Sequence, residues 1–160
     1  MNILEQRRIE AEILKPIYEA LKLEFGLETA QRIIRDSIKS KAVEFGKSFA
    51  DADSDRSIRK FAQLLPLWMK GDALEIEVLT ETDSEFDYNV TRCRYAEMYR
   101  EMGLADIGHL LSCNRDGSFC EGYDSRLKLD RTQTIMQGAS HCDFRYRWES
   151  EASDHGSSQI

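Results

Sequence analysis

Leu74-Glu-Ile-Glu-Val-Leu-Thr-Glu-Thr-Asp-Ser-Glu-Phe-Asp-Tyr-Asn-Val-Thr91 is the stretch that decides the class of fold. Leu74, Ile76 and Val78 alternate with Glu75 and Glu77, and Phe86, Tyr88 and Val90 alternate with Asp87, Asn89 and Thr91. Successive strand side chains point to opposite faces, so each run predicts a strand with one buried face. The polar link from Thr80 to Glu85 joins them as an antiparallel hairpin.

Upstream the period is helical. Between Asn2 and Phe25, Ile3, Ile9, Ile13, Ile17, Leu21 and Phe25 recur near helical spacing. Pro16 removes a hydrogen bond there, which predicts two short helices or one kinked helix. Gly26 reads as a stop, and Glu28 to Phe49 resumes the pattern through Ile33, Ile34, Ile38, Val43 and Phe45. Asp51 to Asp55 reads as a loop. Asp53, Ser54 or Asp55 then caps a third helix running to about Lys70, whose last turn Pro66 disturbs.

Downstream of the hairpin, Tyr95, Met98, Tyr99 and Met102 share a helix face that Gly103 closes, and a further helix is predicted from about Ala105 to Leu111. Ser112 to Tyr123 mixes polar, small and reactive residues with two glycines, and reads as a loop able to carry chemistry. Leu127 to Gln137 and His141 to Trp148 form a second antiparallel pair turning at Gly138, Ala139 and Ser140. The class is therefore α+β: a helical N-terminal half packed on an antiparallel β-sheet, as a single domain over residues 1–148. Residues 149–160 have almost nothing to bury and are expected to form a disordered tail.

The formal charge of −7 argues against a nucleic-acid partner, which would require clustered Lys and Arg. No apolar run is long enough for a membrane span, and the amino terminus lacks the basic-then-apolar pattern of a signal peptide. A cytoplasmic location is the default. There Cys93, Cys113, Cys120 and Cys142 are expected to be reduced. Four cysteines and three histidines would suffice for zinc, but no Cys-x-x-Cys pair exists, so no metal is expected. No phosphate-cradling glycine loop or dinucleotide fingerprint is present, and no cofactor is expected. The Ile-rich face of the amino half could build a homodimer.

Along the last strand Cys142, Phe144, Tyr146 and Trp148 share one face, and His141, Asp143, Arg145 and Arg147 the other. His141 and Asp143 are thus neighbours on the same side, where a carboxylate can orient an imidazole for acid/base work, unless the pair simply sits on a solvated polar face. Cys113 and Asp116 stand before Gly117. The thiol there is either exposed and activated near Arg115, or packed under the preceding helix.

Four ordered motifs carry a resemblance. They are Asn89-Val-Thr-Arg-Cys-Arg-Tyr-Ala-Glu-Met-Tyr99, Leu111-Ser-Cys-Asn-Arg-Asp116, Glu121-Gly-Tyr123 and Leu129-Asp-Arg-Thr-Gln-Thr-Ile-Met-Gln-Gly-Ala-Ser-His-Cys-Asp-Phe-Arg-Tyr146. Together they resemble the L-2-amino-thiazoline-4-carboxylic acid hydrolase family. Gln137 stands where that pattern leads one to expect an acidic residue, which puts the substrate more in question than the fold. The resemblance implies a small-molecule substrate and water addition at the amidine-like carbon of an aminothiazoline ring, with loss of the ring thiolate to give N-carbamoyl-cysteine.

That chemistry needs a base, an acid and a carboxylate anchor. Residue chemistry assigns His141 as acid/base oriented by Asp143, Cys113 as nucleophile, Asp116 as second carboxylate and Arg131 as anchor. Cys93, Tyr123 and Cys142, which lie in the same motifs, are expected at the substrate. All four catalytic candidates are expected to converge on one pocket. The Gly-x-x-His-Cys-Asp-Phe segment also resembles small-molecule-binding domains of the vinyl-reductase type, which supplies a non-enzymatic alternative.

Overall fold

The computed structural model describes residues 1–150, so most of the tail expected from 149 onward lies outside the described residues. The chain runs α1 (Ile3–Phe25), α2 (Leu27–Ala52), α3 (Ile58–Ala62), α4 (Pro66–Met69), β1 (Leu74–Glu81), β2 (Glu85–Cys93), α5 (Arg94–Glu101), α6 (Gly108–Leu111), α7 (Asn114–Tyr123), β3 (Leu127–Asp130) and β4 (Cys142–Trp148), with a 3₁₀ turn at Ile135–Gln137 before β4. The strands form one antiparallel sheet in the order β1-β2-β4-β3. The α+β class read from the sequence is the one observed. None of the helices among the described residues is long and apolar enough to cross a membrane.

Helix α1 is unbroken across Pro16. The ring removes one amide donor, but residue 16 is exposed, so water can satisfy the freed carbonyl. Asn2 and Glu5 close a reciprocal capping box at its start, each side chain accepting the other's backbone N–H at 2.9 Å. The buried face is not the isoleucine stripe: Ile9, Ile13 and Ile17 are exposed, while Arg7, Ala11 and Tyr18 are buried with Leu4, Leu14 and Leu21 packed beside them. The third helix starts later than expected, with Ser57 as its cap, and Pro66 begins a separate turn rather than ending one.

The largest departure is α7, which occupies the segment read as a loop. Its Asn, Gly and Ser content is a poor helix signal, and packing against α2 supplies what propensity does not. The two helices touch backbone to backbone: a Cβ at Gly122 would lie 2.0 Å from the Val43 carbonyl oxygen, and one at Gly46 would lie 2.2 Å from that of Phe119. Phe119 then fits among Phe45, Phe49 and Trp68, with ring centroids 5.4 to 5.7 Å away.

Strand β3 is shorter than the run to Gln137 predicted for it. Its pairing with β4 ends at Asp130, and the amides of Thr132 and Gln133 donate to the Asp143 carboxylate, both at 2.9 Å. This departure carries Arg131 off the sheet. In β2 and β4, Phe86, Tyr88, Val90, Cys142, Phe144 and Tyr146 are buried, as alternation predicts. On the reverse face Arg147 pairs with Asp87, and Arg145 donates to Asn89 at 3.0 Å.

Two substitutions separate close approach from propensity. Gly122→Ala is expected to cost at least about 2 kcal/mol, because backbones must part. Gly117→Ala, with nothing within 4 Å of the added carbon, is expected to stabilise by about 0.5–1 kcal/mol through helix propensity. Urea unfolding of both variants checks the pair.

Asp124 offers a pH test. It is bonded to Arg126 at 2.9 Å and Arg56 at 3.0 Å, and these partners hold its carboxyl well below the usual carboxylate range. A depressed value contributes stability above the ordinary carboxylate range that is lost as pH falls through the folded value. Asp124→Asn is expected to lose about 2 kcal/mol at pH 7. The deficit should shrink steadily below about pH 4 in a pH series of unfolding curves.

Candidate functional site: a cavity with one charged end

Between the sheet and the helices lies a cavity of about 100 Å³. Tyr88, Phe144 and Tyr146 of the sheet face it from one side, and Phe45, Phe119 and Trp68 from the helices. The stacking of Tyr88 on Phe144, with centroids 4.9 Å apart, follows from their direct pairing across β2 and β4. A space of this size and lining suits a single ring of a small molecule. It lies where two apolar clusters meet, one built mainly from α1, α2, α5 and α6, the other from the sheet with α3 and α7.

One end is charged. Arg131, released from β3, donates to the Asp116 carboxylate at 2.5 Å and to the Cys113 carbonyl at 3.0 Å, and its guanidinium lies 4.9 Å from the Phe144 ring centroid. Asp116 sits in the first turn of α7. About 26% of its side-chain surface remains accessible, and the residue lines the cavity. Burial pushes its carboxyl above the ordinary value while Arg131 pulls it back. Burial also works against the Arg131 charge, which Asp116 more than restores.

Three cysteines line the same space: Cys93 at the end of β2, Cys113 beside α7 and Cys142 at the start of β4. Cys142 accepts the Ile135 amide at 3.2 Å. Burial drives every one of these thiols upward, Cys93 to about 11, and Asp116 adds to the effect at Cys113. Cys120, also buried, is pushed up to about 12. Cys113 thus faces the cavity as a neutral thiol at physiological pH. Among the described residues, no group of three or more His, Cys, Asp or Glu side chains could hold a metal ion.

The expected four-residue convergence is absent. Cys113 and Asp116 border the cavity, but His141 and Asp143 do not. Asp143 lies on the face of β4 opposite Cys142 and Phe144, where it is engaged by Thr132 and Gln133. His141 approaches Ser140 Oγ at 2.9 Å and Gln133 Nε2 at 3.4 Å. Of the residues expected at the substrate, Cys93, Cys142 and Arg131 reach the cavity, and Arg131 is committed to Asp116 rather than standing free as an anchor. Tyr123 lies behind the wall, its ring stacked on Phe119 at 6.0 Å. Sequence reading missed Arg7 and considered Arg115 only as a neighbour of the Cys113 thiol; both also line the space. A signal existed for Arg7, since it falls on the helical stripe of Leu4, Ala11, Leu14 and Tyr18.

This site lies within the span recognised by a protein-family comparison: residues 6–146 match the model of L-2-amino-thiazoline-4-carboxylic acid hydrolase. The chain belongs to the L-2-amino-thiazoline-4-carboxylic acid hydrolase family. No curated protein matches this family member. Among solved structures, it is similar to the phenol-responsive sensory domain of the transcription activator PoxR, determined with phenol. The TM-score is 0.53 at 12% identity, covering 85% of this chain and 73% of that one. At that identity the similarity speaks for a shared fold alone.

Neutral, enclosed thiols should be slow. In the native protein at pH 8, no cysteine is expected to react with a disulfide reagent faster than about one hundredth of the free-thiol rate, with all four reacting on denaturation. One rapidly labelled native thiol would contradict the assignment of neutral, enclosed cysteines.

Proposed function

We propose that this family member opens a single heterocyclic ring with water, with Asp116 as the acid/base at the charged end of the aromatic cavity. The supporting observation is the Asp116–Arg131 pair, a carboxylate at the edge of a space walled mainly by aromatic and apolar side chains and lifted above its ordinary value by burial. For an aminothiazoline carboxylate the steps balance as follows. Asp116 takes a proton from water as the oxygen bonds to the amidine-like carbon. The carbon–sulfur bond then breaks as the added hydroxyl becomes the carbonyl, its proton going to the ring nitrogen and the Asp116 proton to the departing sulfur, giving N-carbamoyl-cysteine. Arg131 keeps a positive charge beside the carboxylate throughout, and the neutral Cys113 thiol borders the ring. His141 and Asp143 are turned from the cavity and take no part. The four free cysteines suit a reducing, cytoplasmic setting.

A second reading is favoured by the aromatic walls and by the fold shared with a phenol-responsive domain: ligand binding without turnover. Purified protein titrated with 2-aminothiazoline-4-carboxylate and with phenol separates the two. Release of a new thiol from the thiazoline, lowered about a hundredfold or more in folded Asp116→Asn, is the outcome expected for the hydrolase. Because the base must be deprotonated, activity should fall as pH drops through a midpoint above the ordinary carboxylate value. Phenol binding with no thiazoline turnover would instead support the sensor reading.

A further inference from the structure

We propose that Arg7 and Arg115 form an anion subsite at the α1 end of the cavity, with Glu10 as an internal counter-ion that competes with a ligand carboxylate. This deepens the ring-opening reading and rests on the same cavity. It moves the anchor from Arg131, whose guanidinium is already engaged by Asp116 and the Cys113 carbonyl, to two arginines on α1 and α7.

Three observations carry it. Arg7 is only 6% exposed, yet its hydrogen bonds all leave from Nη1, to both oxygens of Glu10 at 3.0 and 2.9 Å. Its Nε and Nη2 have no acceptor among the described residues. No fully buried side-chain nitrogen or oxygen among the described residues lacks a partner, so these two atoms must border open space. Arg115 repeats the pattern: Nε donates to the Leu111 carbonyl at 2.7 Å and Nη2 to Glu10 at 3.0 Å, while Nη1 has no acceptor among the described residues. Both residues line the aromatic cavity, and both also line a second, more polar cleft with Gln6, Glu10, Lys41 and Ser48. They therefore stand at the junction of the two spaces.

Charge completes the argument. Around the two spaces Arg7, Arg115, Arg131 and Lys41 face Glu10, Glu44 and Asp116, and Lys41 is paired with Glu44 at 2.5 Å. One positive charge is left over in an enclosed region, next to guanidinium donors with nothing to donate to. Enclosed charge is costly unless paired, so a ligand carrying a single negative charge completes this site. Burial and the neighbouring Arg7 both act against the Arg115 charge, consistent with two cations held together by one glutamate. Planar guanidiniums grip a carboxylate by parallel hydrogen bonds, which makes a ring carboxylate the fitting class.

The test compares rings with and without the carboxylate: 2-aminothiazoline-4-carboxylate against 2-aminothiazoline, and benzoate against benzyl alcohol, by calorimetric titration of the full chain. The wild type is expected to prefer the charged member of at least one pair by about tenfold or more, as a desolvated ionic hydrogen bond would give. Arg7→Gln, checked for folding by circular dichroism, should abolish that preference by weakening the carboxylate-bearing member. Glu10→Gln removes the competing carboxylate and should tighten the charged ligand several-fold, a gain that misfolding cannot mimic. Absence of any charge preference in the wild type, loss of the preference in Arg131→Gln but not in Arg7→Gln, or no gain in Glu10→Gln overturns the subsite. Charge preference without ring opening would instead overturn the hydrolase reading and leave the subsite standing.

Discussion

The contact between α2 and α7 is the constraint on which the site depends. Gly46 and Gly122 let the two backbones meet with no side chain between them, each at the position that would otherwise strike the other helix's carbonyl. That contact makes a helix of a glycine- and serine-containing segment and fixes its first turn over the sheet. Asp116 and Phe119, three residues apart on the same helix, then both face the cavity, one ionic and one aromatic. The polar end and the apolar wall are set by a single helix.

Strand β4 divides its side chains between two jobs. Cys142, Phe144 and Tyr146 face inward and form the floor. Asp143, facing the other way, captures the amides that would have extended β3, and so ends that strand at Asp130. Asp143 thereby acts on the cavity without reaching it: by drawing the chain off the sheet it frees Arg131 to meet Asp116. An outward-facing carboxylate and an inward-facing ion pair are mechanically linked through the backbone of Arg131, Thr132 and Gln133.

The electrostatics of the enclosed end follow from scarcity of water. Burial raises the carboxyl of Asp116 and the thiols of Cys93, Cys113 and Cys142, and opposes the charge on Arg115. Arg131 limits the effect at Asp116, which leaves a carboxylate poised between two opposing influences rather than fully neutralised or fully pinned. The thiols have no comparable cation bonded to sulfur and remain neutral. Of the groups lining this cavity, the carboxylate is thus better suited than the cysteines to exchange a proton.

The alternation of Phe86 to Val90 and of Cys142 to Trp148 was enough to fix the antiparallel sheet and its inward face, because a strand's period of two depends only on local geometry, whereas in β1 register shifts after Glu75 and after Val78 interrupt the pattern and leave Val78 about half exposed rather than buried. The same alternation already put His141 and Asp143 on the side away from Phe144; which of the two sides held the cavity was a tertiary matter. Pro16 could not tell an exposed position from a buried one, and the isoleucines of α1 fit a helix period without revealing which stripe would be covered. Helix α7, the early end of β3 and the meeting of Arg7, Arg115 and Arg131 around Asp116 were decided by tertiary structure alone. The helix depends on a partner 76 residues distant, Gly46 against Gly122, and the arginines come from three separate elements. Local sequence sets period and polarity, whereas which charges share an enclosed space is fixed only when distant segments pack and exclude water between them.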